Sequence, residues 1–394
     1  MLLARKFLFA GILWLLAFAA HAAPRVGVVT MAPGDIFFER FGHDAIVVVD
    51  EATGEATSYN FGAFDPTEAD FAGRFARGEM MYYLVALPFE LDMASYRDEG
   101  RGATVQWLDL RPEQARALAD ALAEEALPEN ARYPYDYFTN NCATRVRDAI
   151  DDALGGALKR QLSGRSRGNT FRGESVRLAS PAAWMWIGFD LGLGPYADKP
   201  LTRWDEAFVP MRLADSLREA KNDDGRPLVQ RETEALPHRI APEPPERPRR
   251  WWPWLLAGLV IAALLAVSGR RHPRLLGAFA LPLWLACGVG GALLLYLWSF
   301  TEHRAAWANQ NLLLLNPLCL LLLTAGFALL RGKAVGAWPR RIAGAVAVAA
   351  FAAWFLHWLP FVFPYQDNRA WVALLLPVHV AIAYVCLVQR SLSR

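Results

Sequence analysis

The sequence predicts an α+β domain outside the cytoplasm, followed by an all-α domain within a membrane. Three observations predict this order: an apolar leader, a charged stretch over residues 24–250 with alternating strand and helix patterns, and five apolar runs over residues 251–389. The net charge of +2 averages two unlike halves of the chain, so it indicates nothing about binding partners.

The leader has the features of a secretory signal peptide. Arg5 and Lys6 precede an apolar run over residues 7–20, and Ala20-His21-Ala22 fits a cleavage site made of small residues. We therefore predict a signal peptide over residues 1–22, after which the mature chain leaves the cytoplasm. An uncleaved membrane anchor is the alternative reading of the same residues.

Residues 23–235 are predicted to form the domain outside the cytoplasm. Short β-branched runs bounded by turn residues predict strands, and apolar residues at helical spacing predict helices. The strands are expected at residues 26–31, 45–50, 57–61, 81–87 and 104–110, and the helices at 66–77, 89–99, 112–127 and 142–154. The order indicates an α+β domain in which the early strands form one sheet.

A proline-rich, charged linker is predicted over residues 236–250. Such a segment is extended and semi-rigid, so we expect the domain to lie close to the membrane on a short stalk.

Residues 251–390 are predicted to form a membrane domain with five helices, since each apolar run has close to the ~20 residues that cross a bilayer. The runs cover residues 252–267, 275–298, 312–330, 342–363 and 371–388. Basic residues favour a topology with the N-terminal domain outside and the C-terminus in the cytoplasm. The outer loops hold only Arg304 and Arg369. Three arginines before the first span oppose this topology, because they would lie outside: Arg247, Arg249 and Arg250. The inner loops and tail hold Arg270, Arg271, Arg274, Arg331, Lys333, Arg340, Arg341, Arg390 and Arg394.

Between the leader and the first apolar run there is one cysteine, Cys142, and only two histidines, His43 and His238. An unpaired thiol in an oxidising compartment is unusual, because secreted domains pair their cysteines or lose them. We interpret Cys142 as a nucleophile. The alternative is a small buried apolar residue.

The predicted helix places Cys142 at its N-terminus, where free N–H groups are expected to lower the pKa of the thiol. His43, at the head of a predicted strand, is the candidate base. A cysteine–histidine pair needs a third polar group to orient the imidazole, and Asn60 on the next strand is our first choice. Asp44 is less suitable, because adjacent strand residues point to opposite faces.

Three segments resemble a known family: residues 41–45 (FGHDA), 59–65 (YNFGAFD) and 141–148 (NCATRVRD). The order of histidine on an early strand and cysteine at a late helix start resembles the circularly permuted papain-like enzymes, which include the lecithin:retinol acyltransferase group. More closely, the segments and the membrane domain look like the Lnb-type bacterial lipoprotein N-acyltransferases. The resemblance covers about residues 25–390.

The resemblance implies an enzyme of the bacterial inner membrane, with its catalytic domain in the periplasm. A phospholipid would donate an acyl chain to Cys142, and the N-terminal amine of a diacylated lipoprotein would then accept it. An intramolecular acyl shift within the lipoprotein is an alternative that would use the same cysteine and histidine. His43 would transfer protons. The oxyanion would be held by the backbone N–H of Cys142, with Asn141 or Tyr137 nearby.

Further residues are candidates for substrate binding. Arg145 could bind a phospholipid phosphate, although ion pairing with Asp148 or Asp151 fits equally well. Polar residues of the outer loops could contact a lipid headgroup or the second substrate, or they could simply be solvated loop ends. The loop candidates are Glu302, His303 and Asn309.

Two other functions fit the same sequence. A hydrolase, either an amidase or a phospholipase, would use the same cysteine and histidine with water as the acceptor. A non-catalytic binding protein would need only one membrane anchor, so five spans argue against it. No metal-ligand spacing, phosphate loop, dinucleotide fingerprint or nucleic-acid patch is present, so we expect no metal, no cofactor and no nucleic-acid partner. The sequence makes no prediction of oligomeric state.

Overall fold

The computed structural model of the protein describes residues 23–359 and 363–388, which form two compact units. The first unit contains residues 23–65, 81–167 and 202–243, and the second contains residues 66–80, 168–201 and 244–388. The predicted signal peptide lies outside the described residues. Each unit is therefore assembled from separate stretches of the chain.

The first unit is built on a seven-stranded antiparallel sheet with the order β6-β4-β3-β2-β1-β5-β7. The five strands predicted from the sequence are confirmed to within two residues at each end, while β6 and β7 were not predicted. The strands are β1 (Arg25–Met31), β2 (His43–Val49), β3 (Ala56–Ala63), β4 (Met81–Pro88), β5 (Ala103–Leu108), β6 (Arg132–Pro134) and β7 (Val229–Leu236).

Helices lie in both units. Of the four predicted in the first 160 residues, three are confirmed to within two residues at each end, and the one predicted over residues 66–77 begins five residues later, at Phe71. In chain order they are α1 (Phe71–Arg77), α2 (Phe89–Asp98), α3 (Pro112–Glu125), α4 (Cys142–Ala153), α5 (Ala157–Leu162), α6 (Phe171–Ala179), α7 (Ala183–Gly192), α8 (Arg203–Glu206), α9 (Pro210–Glu219), α10 (Trp252–Arg271), α11 (Pro273–Phe300), α12 (Leu323–Leu330), α13 (Ala337–Leu356) and α14 (Arg369–Val388).

Strand β3 shows that the sheet is covered on both faces. Its side chains alternate between the faces, as in any strand. Asn60 bonds Asp92 of α2, whereas the ring of its neighbour Phe61 lies under Arg145 of α4. Helices α2 and α4 therefore pack on opposite sides of β3.

Helix α4 begins at Cys142 because Asn141 caps it. The side-chain oxygen of Asn141 accepts from the N–H of Thr144 at 2.9 Å, and the Thr144 hydroxyl accepts from the N–H of Asn141 at 2.7 Å. This reciprocal pair satisfies N–H groups that the first turn of a helix leaves free. Val146 and Ile150 follow at helical spacing, are fully buried, and lie on the face that packs against the sheet. Cys142 is thereby fixed at the edge of the packed helix.

The second unit contains five segments that are long and apolar enough to cross a membrane, as the sequence predicted. They are Trp252–Arg271, Pro273–Phe300, Gln310–Leu330, Ala337–Leu356 and Arg369–Val388. The third begins with two 3-10 turns before α12, and Pro317, which has no N–H to donate, starts the second of these turns. The tail arginines Arg390 and Arg394 lie outside the described residues. The protein is a multi-pass membrane protein.

Candidate active site

Cys142 lies beside the end of the β2–β3 pair. Gly62 has φ +101°, and a Cβ atom added there would lie 3.8 Å from the Cβ of Cys142. Strands β2 and β3 are antiparallel, with Ala45 opposite Asn60. His43, two residues before Ala45, therefore lies opposite Gly62, two residues after Asn60. The thiol-bearing residue and the histidine therefore lie at the same end of the sheet.

A glycine also fixes the position of His43. Gly42, immediately before it, has φ +76°, a conformation that side chains disfavour, and an added Cβ would lie 2.9 Å from the carbonyl oxygen of Met31. The chain can therefore turn into β2 at this point only because residue 42 has no side chain.

His43 is oriented by Asn60, the residue proposed from the sequence. The distance between His43 Nε2 and Asn60 Oδ1 is 3.0 Å. With Nε2 donating this bond, Nδ1 is the ring nitrogen that can accept a proton. The ring of Tyr96 is nearly parallel to the imidazole, at an interplanar angle of 16° and a centroid distance of 6.4 Å. The imidazole is held from two directions.

Asn60 is itself held by two residues that the sequence analysis missed. Its amide nitrogen donates to Ser58 Oγ at 3.1 Å and to Asp92 Oδ2 at 3.0 Å, and Ser58 donates to the same carboxylate oxygen at 2.5 Å. These bonds leave Asn60 Oδ1 directed at the histidine. Ser58 could have been found from strand alternation, since it lies two residues before Asn60. Asp92 could not, because only the packing of α2 brings it there.

We predict that Asp92→Asn lowers the activity of the candidate site roughly tenfold, because Asn60 is no longer held in one orientation. The Asp92 charge raises the pKa of His43, so its removal lowers that pKa. The acidic limb of the pH–rate profile should then move to lower pH. The matched control is Asp98→Asn on the exposed face of the same helix. An unshifted acidic limb would contradict this positioning role.

Burial lowers the pKa of His43 below its usual value, and the nearby charge of Arg101 lowers it further. The hydrogen bond to Asn60 and the charge of Asp92 act in the opposite direction. His43 is therefore neutral near pH 7 and able to act as a base.

The prediction that the pKa of Cys142 is lowered at the helix start is wrong. Burial, and then the charge of Asp44, raise the pKa of the thiol to about 12. The N–H groups of Asp44, Ala143 and Cys142 itself lower it, as expected at a helix start, but they do not compensate. The resting thiol is thus protonated, and its proton must leave as the sulfur attacks.

Asp44 is a buried acid next to this thiol. As expected from strand alternation, its side chain does not bond His43; its Oδ1 accepts from the Thr30 hydroxyl at 2.8 Å. Its Oδ2 has no hydrogen-bond partner among the described residues. Burial raises the pKa of Asp44 to about 7, although the Thr30 bond opposes the shift. Asp44 therefore gains its negative charge, which opposes formation of the Cys142 thiolate, only as the pH rises through about 7.

The side chain of Asn141 has no free donor for an oxyanion. Both of its amide hydrogens are used, in bonds to the carbonyls of Tyr137 at 3.0 Å and Phe208 at 2.9 Å. The role of Tyr137 remains a prediction, and a second tyrosine, Tyr133, is a further candidate. The hydroxyl of Tyr133 is buried without a partner among the described residues, and it would lie 3.8 Å from a Cβ atom at Gly62. An unsatisfied buried hydroxyl beside Cys142 is a candidate oxyanion donor.

Two family models match the chain. The model of the Lnb N-terminal periplasmic domain matches residues 14–174, and the model of the Lnb transmembrane domain matches residues 249–391. The chain belongs to the Lnb family. The predicted fold class, an α+β domain followed by five membrane-crossing helices, is confirmed. No curated protein and no solved structure shows a significant match to the chain.

In the Lnb periplasmic domain, Arg145 has structural partners. Its guanidinium forms an ion pair with Glu125 and lies 5.1 Å from the ring centroids of both Phe61 and Tyr133. Neither Asp148 nor Asp151 is the partner; Arg147 pairs with Asp148 at 2.7 Å. The phosphate-binding role of Arg145 remains a prediction, and it would require this ion pair to open.

In the Lnb transmembrane domain, the outer-loop candidates differ in exposure. Asn309 is buried, and its amide nitrogen donates to the carbonyls of Leu191 and Gly192 at 2.8 and 2.9 Å. Its oxygen accepts from Asn311 and Gln366, so its side chain has a structural role. Glu302 is exposed and His303 is partly exposed. Binding of substrate by Glu302 and His303 remains a prediction.

Proposed function

We propose that this protein transfers an acyl chain from a membrane phospholipid to the N-terminal amine of a diacylated lipoprotein, through a thioester on Cys142. The observation that carries the proposal is the position of Cys142 at a helix start, beside the end of the sheet where His43 is bonded to Asn60. Membership of the Lnb family and the five membrane-crossing segments support a lipid substrate.

In the first half-reaction, Cys142 attacks the ester carbonyl of the phospholipid. His43 Nδ1 takes the thiol proton as the S–C bond forms, because the thiol is protonated at rest. The tetrahedral intermediate collapses with loss of the glycerol oxygen, which receives the proton from His43. The products are a thioester on Cys142 and a lysophospholipid.

In the second half-reaction, the lipoprotein amine attacks the thioester. The neutral imidazole of His43 takes the amine proton and returns it to the sulfur as the C–S bond breaks. An amide is formed and Cys142 regains its thiol. The neutral state that burial gives His43 suits both steps, since each begins with proton removal.

The negative oxygen of each intermediate needs hydrogen-bond donors. The backbone N–H of Cys142 is one, because the first turn of α4 leaves it free of intrahelical bonds. We propose the hydroxyl of Tyr133 as the second, since it is buried next to Gly62 and lacks a partner among the described residues.

We further propose that the enzyme lies in the bacterial inner membrane, with its first unit in the periplasm and its C-terminus in the cytoplasm. The excess of arginine and lysine in the loops on the predicted inner side supports this orientation.

The test is mass spectrometry of lipoprotein N-terminal peptides from a host that lacks its own N-acyltransferase. Cells that make this protein should add one acyl chain to the amine, and cells that make Cys142→Ala at equal abundance should not. A donor lipid labelled in its acyl chains, added to the purified protein, would identify the source of the chain.

The same experiment separates the rival functions. A diacylated N-terminus in both strains, with release of lysophospholipid and free fatty acid by the intact protein alone, would indicate a phospholipase. Loss of one chain from the diacylglyceryl group with gain on the amine would indicate an intramolecular shift. Either outcome would overturn the proposed phospholipid-to-amine transfer.

A further inference from the structure

The turn before His43 exposes three consecutive apolar residues. Ile36, Phe37 and Phe38 have exposed fractions of 55%, 36% and 63%. Single exposed apolar side chains are common on protein surfaces, but a contiguous group at the tip of a loop indicates a site that binds an apolar ligand or surface.

This tip is held in place by the rest of its loop. Gly34 N–H donates to the carbonyl of Glu39 at 2.9 Å, and Arg40 N–H donates to the carbonyl of Ile36 at 3.1 Å. The buried side chain of Arg40 also donates to the carbonyl of Asp35 at 2.9 Å. The loop thus presents apolar side chains outward from a closed turn.

A continuous row of aromatic rings joins this tip to the nucleophile. Successive ring centroids are 5.6, 5.2 and 4.3 Å apart. The last ring would lie 3.9 Å from a Cβ atom at Gly62, and that atom would lie 3.8 Å from Cys142. We call these four side chains the aromatic row: Phe38, Phe64, Tyr82 and Tyr135.

We infer that the aromatic row binds the acyl chain of the donor phospholipid, with its ester carbonyl at Cys142 and its methyl end toward the exposed Ile36–Phe38 tip. This inference rests on the first half-reaction of the proposed function. A row of rings offers a hydrocarbon chain apolar contact along its length and no charged group to desolvate. Since the row runs from the exposed tip to the thiol, a chain that enters from a lipid surface can follow the rings as far as the reacting carbonyl.

The test compares donors of different chain length on the intact protein in detergent micelles. Acyl-enzyme on Cys142 is measured by intact-protein mass spectrometry, with a phosphatidylethanolamine that carries sixteen-carbon chains and with p-nitrophenyl acetate. For Phe38→Ser, the ratio of the long-chain rate to the acetate rate should fall roughly tenfold, because burial of one ring side chain contributes about that factor. Phe38→Leu should recover most of the ratio.

Leu127→Ser is the matched control, because Leu127 is also an exposed apolar residue of the first unit and lies outside the aromatic row. An equal loss with both donors, or an unchanged ratio in Phe38→Ser, would overturn the inference. Normal acyl-enzyme formation with slower transfer to the lipoprotein would also overturn it, since the row would then serve the acceptor. If the unsubstituted protein forms no acyl-enzyme from phospholipid but does so from acetate, the proposed function fails instead.

Discussion

Serine in place of Cys142 should abolish acyl-enzyme formation, with a loss of about 10⁴-fold or more, as for nucleophiles of other enzymes that form an acyl intermediate. A serine hydroxyl is a far weaker acid than a thiol, and burial has already lowered the pKa of the base, His43. The imidazole cannot then remove the hydroxyl proton at a useful rate. The measurement is single-turnover release of lysophospholipid by purified protein.

The control for this substitution is Cys287→Ala. Cys287 is a buried thiol of the membrane segment Pro273–Phe300, and it has no place in the proposed reaction. Cys287→Ala should keep the lysophospholipid release of the unsubstituted protein. Retention of more than a few per cent of that release by Cys142→Ser, with normal folding, would show that another residue is the nucleophile.

Alanine in place of Asp198 should destabilise the second unit by about 3–5 kcal/mol, the usual effect of leaving a buried charge without its partner. The guanidinium of Arg172 is fully buried and binds both carboxylate oxygens of Asp198, at 2.9–3.0 Å. It also donates to the carbonyls of Asp190, Leu193 and Gly194, so it cannot move out to water without breaking these bonds.

The measurement is the thermal unfolding midpoint in detergent, followed by intrinsic tryptophan fluorescence. Asp198→Asn loses the charge and one of the two accepting oxygens but keeps the other, so its midpoint should lie between those of the alanine variant and the unsubstituted protein. Glu79→Ala removes an exposed carboxylate of the same unit and should leave the midpoint unchanged. An unchanged midpoint in Asp198→Ala would mean that the Arg172–Asp198 pair does not stabilise this unit.

Much of the site could be predicted from local sequence. The β-branched run that forms β2 predicts that His43 and Asp44 point to opposite faces of a strand. In the structure, His43 is bonded to Asn60 and Asp44 is bonded to Thr30. Helical spacing after residue 141 predicts that Cys142 begins a helix, which is confirmed. These predictions succeed because strand alternation, helix capping and apolar periodicity depend on neighbours in the chain.

The residues that local patterns did not predict are brought to the site by packing between elements that lie far apart in the chain. Asp92 lies 32 residues from Asn60 in the chain and reaches it only because α2 packs on β3. Tyr133 is carried by the three-residue strand β6, too short to show a pattern, and is brought beside Gly62 by pairing with β4. Local patterns carry no information on such contacts, since an exposed and a buried tyrosine have the same sequence signature.

Local sequence patterns were enough to predict the membrane-crossing segments and the first five strands, and they proposed Cys142, His43 and Asn60 as the candidate site. The tertiary structure, by contrast, sets the protonation states of these groups, because the pKa of a side chain depends on burial and on charges that neighbouring elements bring close. It also decided that Asn309 is a buried structural residue, since that outcome depends on packing against residues 191–192. A helix start alone would have made Cys142 more acidic; burial and the neighbouring Asp44 make it less so.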